Sequence, residues 1–201
     1  QSLTISGAIG QSGAVNFNAS GALTIGANLS AGASSTLISG ATLTLNASTV
    51  TSTSSGNLIL SAARFVNNAG SGALSVTGGG NWQVWSSNVS PFDASAAIAD
   101  SRGGLSFNYK QYNVIYGSST VLGTGNGFLY SYAPTLTASL TGTVTKTYDR
   151  LTTATLGSVN YSLSGTVDSD VVVLNNPSSG SYTSQGSGVG TKDVGTGKTV
   201  S

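Results

Sequence analysis

Leu3-Thr4-Ile5, Leu23-Thr24-Ile25 and Leu43-Thr44-Leu45 repeat one apolar-polar-apolar word every twenty residues. Val15-Asn16-Phe17, Leu58-Ile59-Leu60 and Leu74-Ser75-Val76 add further short apolar words between or after them. Successive side chains on a strand point to opposite faces, so alternation over so few residues marks short strands that each bury one small face. A recurrence near twenty residues is the length of a coil, and strands repeated at that pitch between Gly, Ser and Asn turns predict a parallel β-solenoid. Ile9, Leu29 and Val50 each follow a leading strand by six or seven residues, as a second side requires; three sides per turn are expected.

The predicted inward positions are Leu3, Ile5, Ile9, Val15, Phe17, Leu23, Ile25, Leu29, Leu37, Leu43, Leu45, Val50, Leu58, Leu60, Phe65, Leu74 and Val76. Each such side chain contributes about 1.5–3 kcal/mol when stacked coils bury it, which an isolated coil cannot do. Asn18, Asn28, Asn46 and Asn67 are placed at turns, where an amide can bond the local backbone.

Composition narrows the function classes. Only 6% of the 201 residues are charged, the net charge is +1, and Lys and Arg form no run, which argues against nucleic acid and anionic membrane as partners. β-Branched and aromatic residues at regular intervals argue against disorder despite the Gly/Ser/Thr richness. No apolar stretch approaches the roughly 20 residues of a membrane span, so no membrane insertion is expected. The coil pattern already runs at Leu3 and the last residues are a polar Gly/Thr stretch, as expected of a segment of something longer.

Aromatic residues become frequent from Trp82 onward, and residues 82–133 read as an aromatic-rich terminal region of a β-helical domain spanning 1–133. Pro91 to Asp100, rich in alanine, is the best place for a short helix, and Leu105-Ser106-Phe107-Asn108-Tyr109 alternates as a strand. Bulky rings would seal the end of the core and blunt its open edge. The sharper alternative is a glycan-binding face in which Trp82, Trp85, Tyr109, Tyr112, Tyr116, Tyr130 and Tyr132 stack on sugars; a row of exposed rings would favour binding, and buried rings a cap. From Pro134 to Ser201, Leu136–Leu140, Val144–Tyr148, Tyr161–Leu163, Val171–Leu174 and Ser181–Thr183 are strand-like runs at 8–12-residue rhythm, predicting a small antiparallel Ig-like β-sandwich. The fold class is therefore all-β, a right-handed parallel β-helix followed by that sandwich.

Catalytic chemistry finds few candidates. His, Cys and Glu are absent, which removes Ser-His and Cys-His pairs and the usual zinc sites, and no spacing nominates a facing pair among the six aspartates. No catalytic residue and no cofactor are expected. Asp168-Ser169-Asp170 has the alternate-acid spacing of a calcium loop but lacks its Gly and final acid, so Asp168 and Asp170 read first as a solvated turn. Gly195-Thr196-Gly197-Lys198-Thr199 mimics the end of a phosphate loop, but Lys192 stands where its first Gly belongs; it reads as a strand. Asn18, Asn28, Asn46, Asn88 and Asn160 each open an Asn-X-Ser glycan-acceptor pattern. Outward Thr4, Thr24 and Thr44 make one column, too short for an ice-binding array.

Several motifs carry a resemblance. Trp82-Gln83-Val84-Trp85, Gly103-Gly104-Leu105, Phe107-Asn108-Tyr109-Lys110-Gln111-Tyr112 and Gly125-Asn126-Gly127-Phe128-Leu129-Tyr130-Ser131 resemble the aromatic block that ends the helix in filamentous-haemagglutinin-type exoproteins of two-partner secretion. Thr147-Tyr148-Asp149 and Lys192-Asp193-Val194-Gly195-Thr196-Gly197-Lys198-Thr199-Val200 resemble the signature and closing strand of their YDG-type repeats, with Arg150 where those repeats carry Gly. The resemblance implies a non-enzymatic stalk segment of a secreted Gram-negative surface adhesin, exported through an outer-membrane secretion partner. It also implies an exopolysaccharide or host-surface glycan as ligand, and a monomeric fibre segment.

Overall fold

Short alternating words can pair only with copies of themselves one coil away, and that is how the first unit is built. The computed structural model describes residues 1–95 and 97–201, which divide into two compact units, Gln1–Ala133 and Pro134–Ser201. In the first unit, the first coil holds β1 (Leu3–Ile5), β2 (Ile9–Gln11) and β3 (Asn16–Ala19), and the second begins with β4 (Leu23–Ile25) and β5 (Leu29–Ala31). The long strand β6 (Ser35–Leu45) closes the second coil and opens the third, turning a corner where its register shifts between Ser39 and Thr42. β7 (Thr51–Thr53) and β8 (Leu58–Asn67) continue in the same way, followed by β9 (Leu74–Val76) and β10 (Trp82–Ser86).

Every pairing among the described residues of this unit is parallel. One stack runs β1-β4-β6-β8, a second runs β2-β5-β7-β9, and a third runs from β3 through the first halves of β6 and β8 to β10. Leu3, Leu23, Leu43 and Phe65 fall in one register column, and Thr4, Thr24 and Thr44 in the adjacent outward one, which ends at Val66. Leu23, Ile25, Leu29, Leu37, Leu43, Leu45, Leu58 and Leu60 are buried as the word pattern requires. Leu3 is 37% exposed, in the edge strand of the stack among the described residues. At the β6 corner, coils approach so closely that a Cβ on Gly40 would lie 2.3 Å from the Ser20 carbonyl oxygen.

Side chains extend the backbone ladder where the strands stop. Asn16 Oδ1 accepts from the Thr36 N–H, Asn28 Oδ1 from Val50 and Asn57 Oδ1 from Asn81, across separations of 20, 22 and 24 residues. Those separations report a coil that lengthens along the chain, and the lengthening explains one correction. Val50, expected inward, is 38% exposed, and Thr51 instead follows Leu29 in register and is fully buried. Asn18, expected at a turn, lies within β3, whereas Asn46 and Asn67 serve turns through Thr49 and Ala69.

The terminal coil departs from sequence order. β11 (Tyr109–Gln111) is the outermost strand, and the later β12 (Gly127–Tyr130) is inserted between it and β10. The alternation at Leu105–Tyr109 yields a strand only from Tyr109, although Leu105 is buried. The described residues of 91–100 form turns rather than the expected helix, and Ala96 of that stretch lies outside the described residues.

The second unit pairs antiparallel. β13 (Thr137–Leu140) pairs β15 (Tyr161–Ser164), and β14 (Thr153–Thr155) pairs β16 (Ser179–Ser181), with a 3-10 turn at Ser158–Asn160. These two ladders are fewer than the five runs of the expected Ig-like sandwich. Val144–Tyr148 and Val171–Leu174 lie outside any strand, because neither finds a partner backbone, and of the 192–200 segment only Val200 makes a bridge, to Tyr182. Among the described residues no helix is long and apolar enough to cross a membrane.

Candidate functional site

β10 and β12 place rings on both faces of the third stack. Inward, Trp82, Phe128 and Tyr130 are buried at the end of the core. Phe128 meets Trp82 edge-on at 5.2 Å and Phe107 at 5.3 Å, and Phe92 meets Tyr130 at 4.8 Å. Tyr112 stacks on Tyr130 at 5.8 Å, and Tyr132 packs edge-on against Phe92. The Arg102 guanidinium covers this end, 5.3 Å from the Phe107 ring centre and 5.6 Å from that of Phe128. Such edge-to-face pairs add about 0.5–1.5 kcal/mol each beyond burial.

Outward, Trp85 and Leu129 share a column and form a second cluster with Val114, joined by Ile59, Tyr109 and Val121. The return segment between β11 and β12 covers this face, with Tyr116 edge-on to Trp85 at 5.6 Å. Its path is held by Gln111, whose Nε2 donates to the Thr120 carbonyl and whose Oε1 accepts from the Leu122 N–H. Tyr109 lies across Gly123 and Gly127: a Cβ at either would fall 2.1 or 2.2 Å from its ring. Burial pushes the Tyr109 phenol up from its ordinary value, and the Gln83 side chain pulls it partly back.

Of the seven rings nominated for sugar stacking, Trp82, Trp85 and Tyr130 are thus buried, and Tyr109, Tyr112 and Tyr132 are half-buried against protein. Tyr116 is the exposed one, and the seven do not form an exposed row. Trp85 packs against Tyr116 and Tyr112 against Tyr130, while Trp82 meets Phe128, Tyr132 meets Phe92 and Tyr109 lies over Gly123 and Gly127.

A buried polar latch that sequence reasoning missed holds the 88–100 excursion to β8. Asp100 Oδ1 accepts from the Phe65 N–H at 3.1 Å and from Asn88 Nδ2 at 3.0 Å, while Arg64 Nε donates to the Ala99 carbonyl. Burial raises the Asp100 carboxyl above the ordinary value of 3.8, opposed by the Asn88, Ser86 and Phe65 hydrogen bonds and by the nearby Arg64 charge. The available signal was Arg64, the first charge in otherwise neutral coils. Asn88, like Asn160, is buried and bonded, which leaves neither amide open to a glycan in the folded chain.

The second unit holds a cleft of about 570 Å³. Beside it Lys146 Nζ donates to Asp149 Oδ1 at 2.7 Å and to the Leu151 carbonyl at 2.8 Å, and lies 5.8 Å from the Tyr182 ring centre. The Lys146 hydrogen bond holds the Asp149 carboxyl below its ordinary range. Asp149 also accepts from the Leu151 N–H, closing a turn in which Arg150 takes φ 66°, the left-handed region that favours glycine. Asp168 and Ser169 are likewise left-handed, at φ 53° and 58°, in a turn closed by the Asp170 N–H to the Val167 carbonyl. Among the described residues no group of three or more Asp, Glu, His or Cys side chains comes together to hold a metal ion. Compared with known proteins, the chain matches no family model, no curated protein and no solved structure.

Proposed function

We propose that this chain is a non-enzymatic, structural stalk segment of a large secreted bacterial surface adhesin. The observation that carries the reading is the set of in-register parallel ladders running from β1 to β12 over one continuous apolar core. Backbone bonds between coils act in concert under load, so such a stack resists extension better than separate hairpins do. Its outer faces are neutral, hydroxyl- and amide-rich and free of charge before Arg64, which keeps them wet without attracting ionic partners. The motif resemblance supports the adhesin context. That context is a Gram-negative cell surface, an outer-membrane partner for export, and a role in cell adhesion or tethering of biofilm exopolysaccharide. Arg150 supports it too, since the position where the similar repeats carry Gly has a glycine-like backbone.

The test is mechanical. The chain has no cysteine, so Cys placed at positions 2 and 133 gives unique handles for single-molecule pulling of the first unit. The stalk reading expects discrete force peaks that release whole coils. Smooth extension at low force overturns it. So does saturable binding of a polysaccharide that Tyr116→Ala abolishes with the fold intact, an outcome that would make the aromatic coil a carbohydrate-binding module.

A further inference from the structure

Asn126-Gly127 is the one Asn-Gly step in the 201 residues, and it lies where β12 begins between β10 and β11. Packing fixes each residue of this corner. A Cβ at Gly127 would lie 2.2 Å from Cζ of the Tyr109 ring, and Gly125, at φ 87°, would place one 2.4 Å from Asn108 Oδ1. Asn126 Oδ1 accepts from the Trp82 N–H at 2.9 Å, extending the ladder past the end of the strand as Asn16, Asn28 and Asn57 do elsewhere.

The Asn-Gly step is also the least durable one in protein chemistry, because the glycine nitrogen has no side chain beside it to block attack on the asparagine amide. In that reaction the Gly127 nitrogen loses its proton and bonds Asn126 Cγ, the Cγ–Nδ2 bond breaks, and ammonia leaves with the proton. Water then opens the cyclic imide. Opening at Cγ gives aspartate, whereas opening at the main-chain carbonyl gives isoaspartate, whose backbone runs through Cβ and Cγ and is longer by a methylene.

The folded coil holds both reacting groups. The Asn126 side chain is fixed to β10 through Trp82, its N–H donates to Asn108 Oδ1 at 2.8 Å, and its carbonyl accepts from the Asn108 N–H at 2.7 Å. Gly127 is buried, in register with Gln83 on one side and Tyr109 on the other. Ring closure must turn the side chain onto the Gly127 nitrogen, so β12 has to leave its neighbours first. β11 is a three-residue edge strand, the kind of element that opens before a core does.

We propose that Asn126-Gly127 is a latent deamidation site, shielded while β12 is seated and reactive once the terminal coil opens, and that its isoaspartate product keeps the coil from closing again. The added methylene displaces the buried Phe128, Leu129 and Tyr130 from their places opposite Val84, Trp85 and Ser86. One modified residue thereby unseats the rings at the end of the core. None of this depends on the stalk role.

The test ages the full chain in mildly alkaline buffer, with and without guanidinium chloride, and follows Asn126 by peptide mass and by methylation with an isoaspartyl methyltransferase. Folding is expected to slow modification at Asn126 by about tenfold or more. After dilution from denaturant, native tryptophan fluorescence is expected to be lost in proportion to the isoaspartate formed, since Trp82 bonds Asn126 and packs on Phe128. The Asn126→Gln chain, whose longer side chain cyclises far more slowly, gives after ageing the same signal that it gives when freshly diluted. The proposal is overturned by no modification at Asn126 in denaturant, by equal rates in the two conditions, by full recovery of the modified chain, or by the same loss in Asn126→Gln.

Discussion

Thr51→Val should make the first unit more stable. Thr51 is fully buried in the column between Leu29 and Leu74, and its Oγ1 has no hydrogen-bond partner among the described residues. A buried hydroxyl without a partner costs about 1–3 kcal/mol in proteins. Valine has the same branched shape with a methyl in that place, and burying the methyl adds up to about 0.8 kcal/mol. Allowing for partial relaxation around the native hydroxyl, the gain is about 1–2 kcal/mol, or a rise in Tm of about 2–8 °C for a chain of this size. Both tryptophans, Trp82 and Trp85, lie in the first unit, so the urea midpoint followed by their fluorescence reports on it. Thr53→Val is the control: Thr53 Oγ1 has an acceptor, the Gly56 carbonyl at 3.4 Å, so its loss is neutral or destabilising. If Thr51→Val lowers the midpoint, the hydroxyl has a partner in solution and the reasoning fails.

Gly127→Ala drives a Cβ into the Tyr109 ring and should cost about 1–3 kcal/mol by overpacking. Gly10→Ala, with nothing within 4 Å, should change the same fluorescence midpoint by less than about 0.5 kcal/mol. Asp100→Asn keeps the Oδ1 acceptor but removes a carboxyl whose folded value is raised by burial. In the native chain the folded state holds that proton more tightly than the unfolded state. Stability from this group is therefore full below the ordinary value of 3.8 and is lost as pH rises through the raised one. The pH dependence of the urea midpoint should flatten over that window in the variant; an unchanged slope would show that Asp100 does not titrate there. Arg150→Gly should stabilise the second unit by about 1 kcal/mol, since a non-glycine residue at φ 66° carries a left-handed penalty of about that size. Hydrogen exchange at Ala154 and Leu156 would read it, and faster exchange would count against a strained turn.

The legible part of this chain was local. Leu23, Leu43 and Leu45 could be placed inward from three-letter words, because alternation follows from backbone geometry and the twenty-residue pitch repeats unchanged through the first coils. Val50 was misplaced once the coil lengthened, since nothing within the word at Val50-Thr51 says which residue meets Leu29. The aromatic region could be located but not interpreted. Trp85 sits on an outward position where a ring would meet sugars, and only the return segment laid over it by Gln111 turns it into a packed residue. Gly123 and Gly127 carried a usable signal, glycine at every second position from 123 to the first residue of β12, yet the ring they seat is contributed by Tyr109 from another strand.

What the amino-acid sequence determined by itself is the pitch of the first coils, the parallel coil and the neutral surface, because each follows from neighbours in the chain and from composition. Tertiary structure alone decided that β12 slips between β10 and β11, that the rings face one another, and that Val144–Tyr148 and Val171–Leu174 remain unpaired. The reason is that a strand's preference is encoded locally, while its partner is chosen by whichever distant backbone edge is free and shaped to receive it.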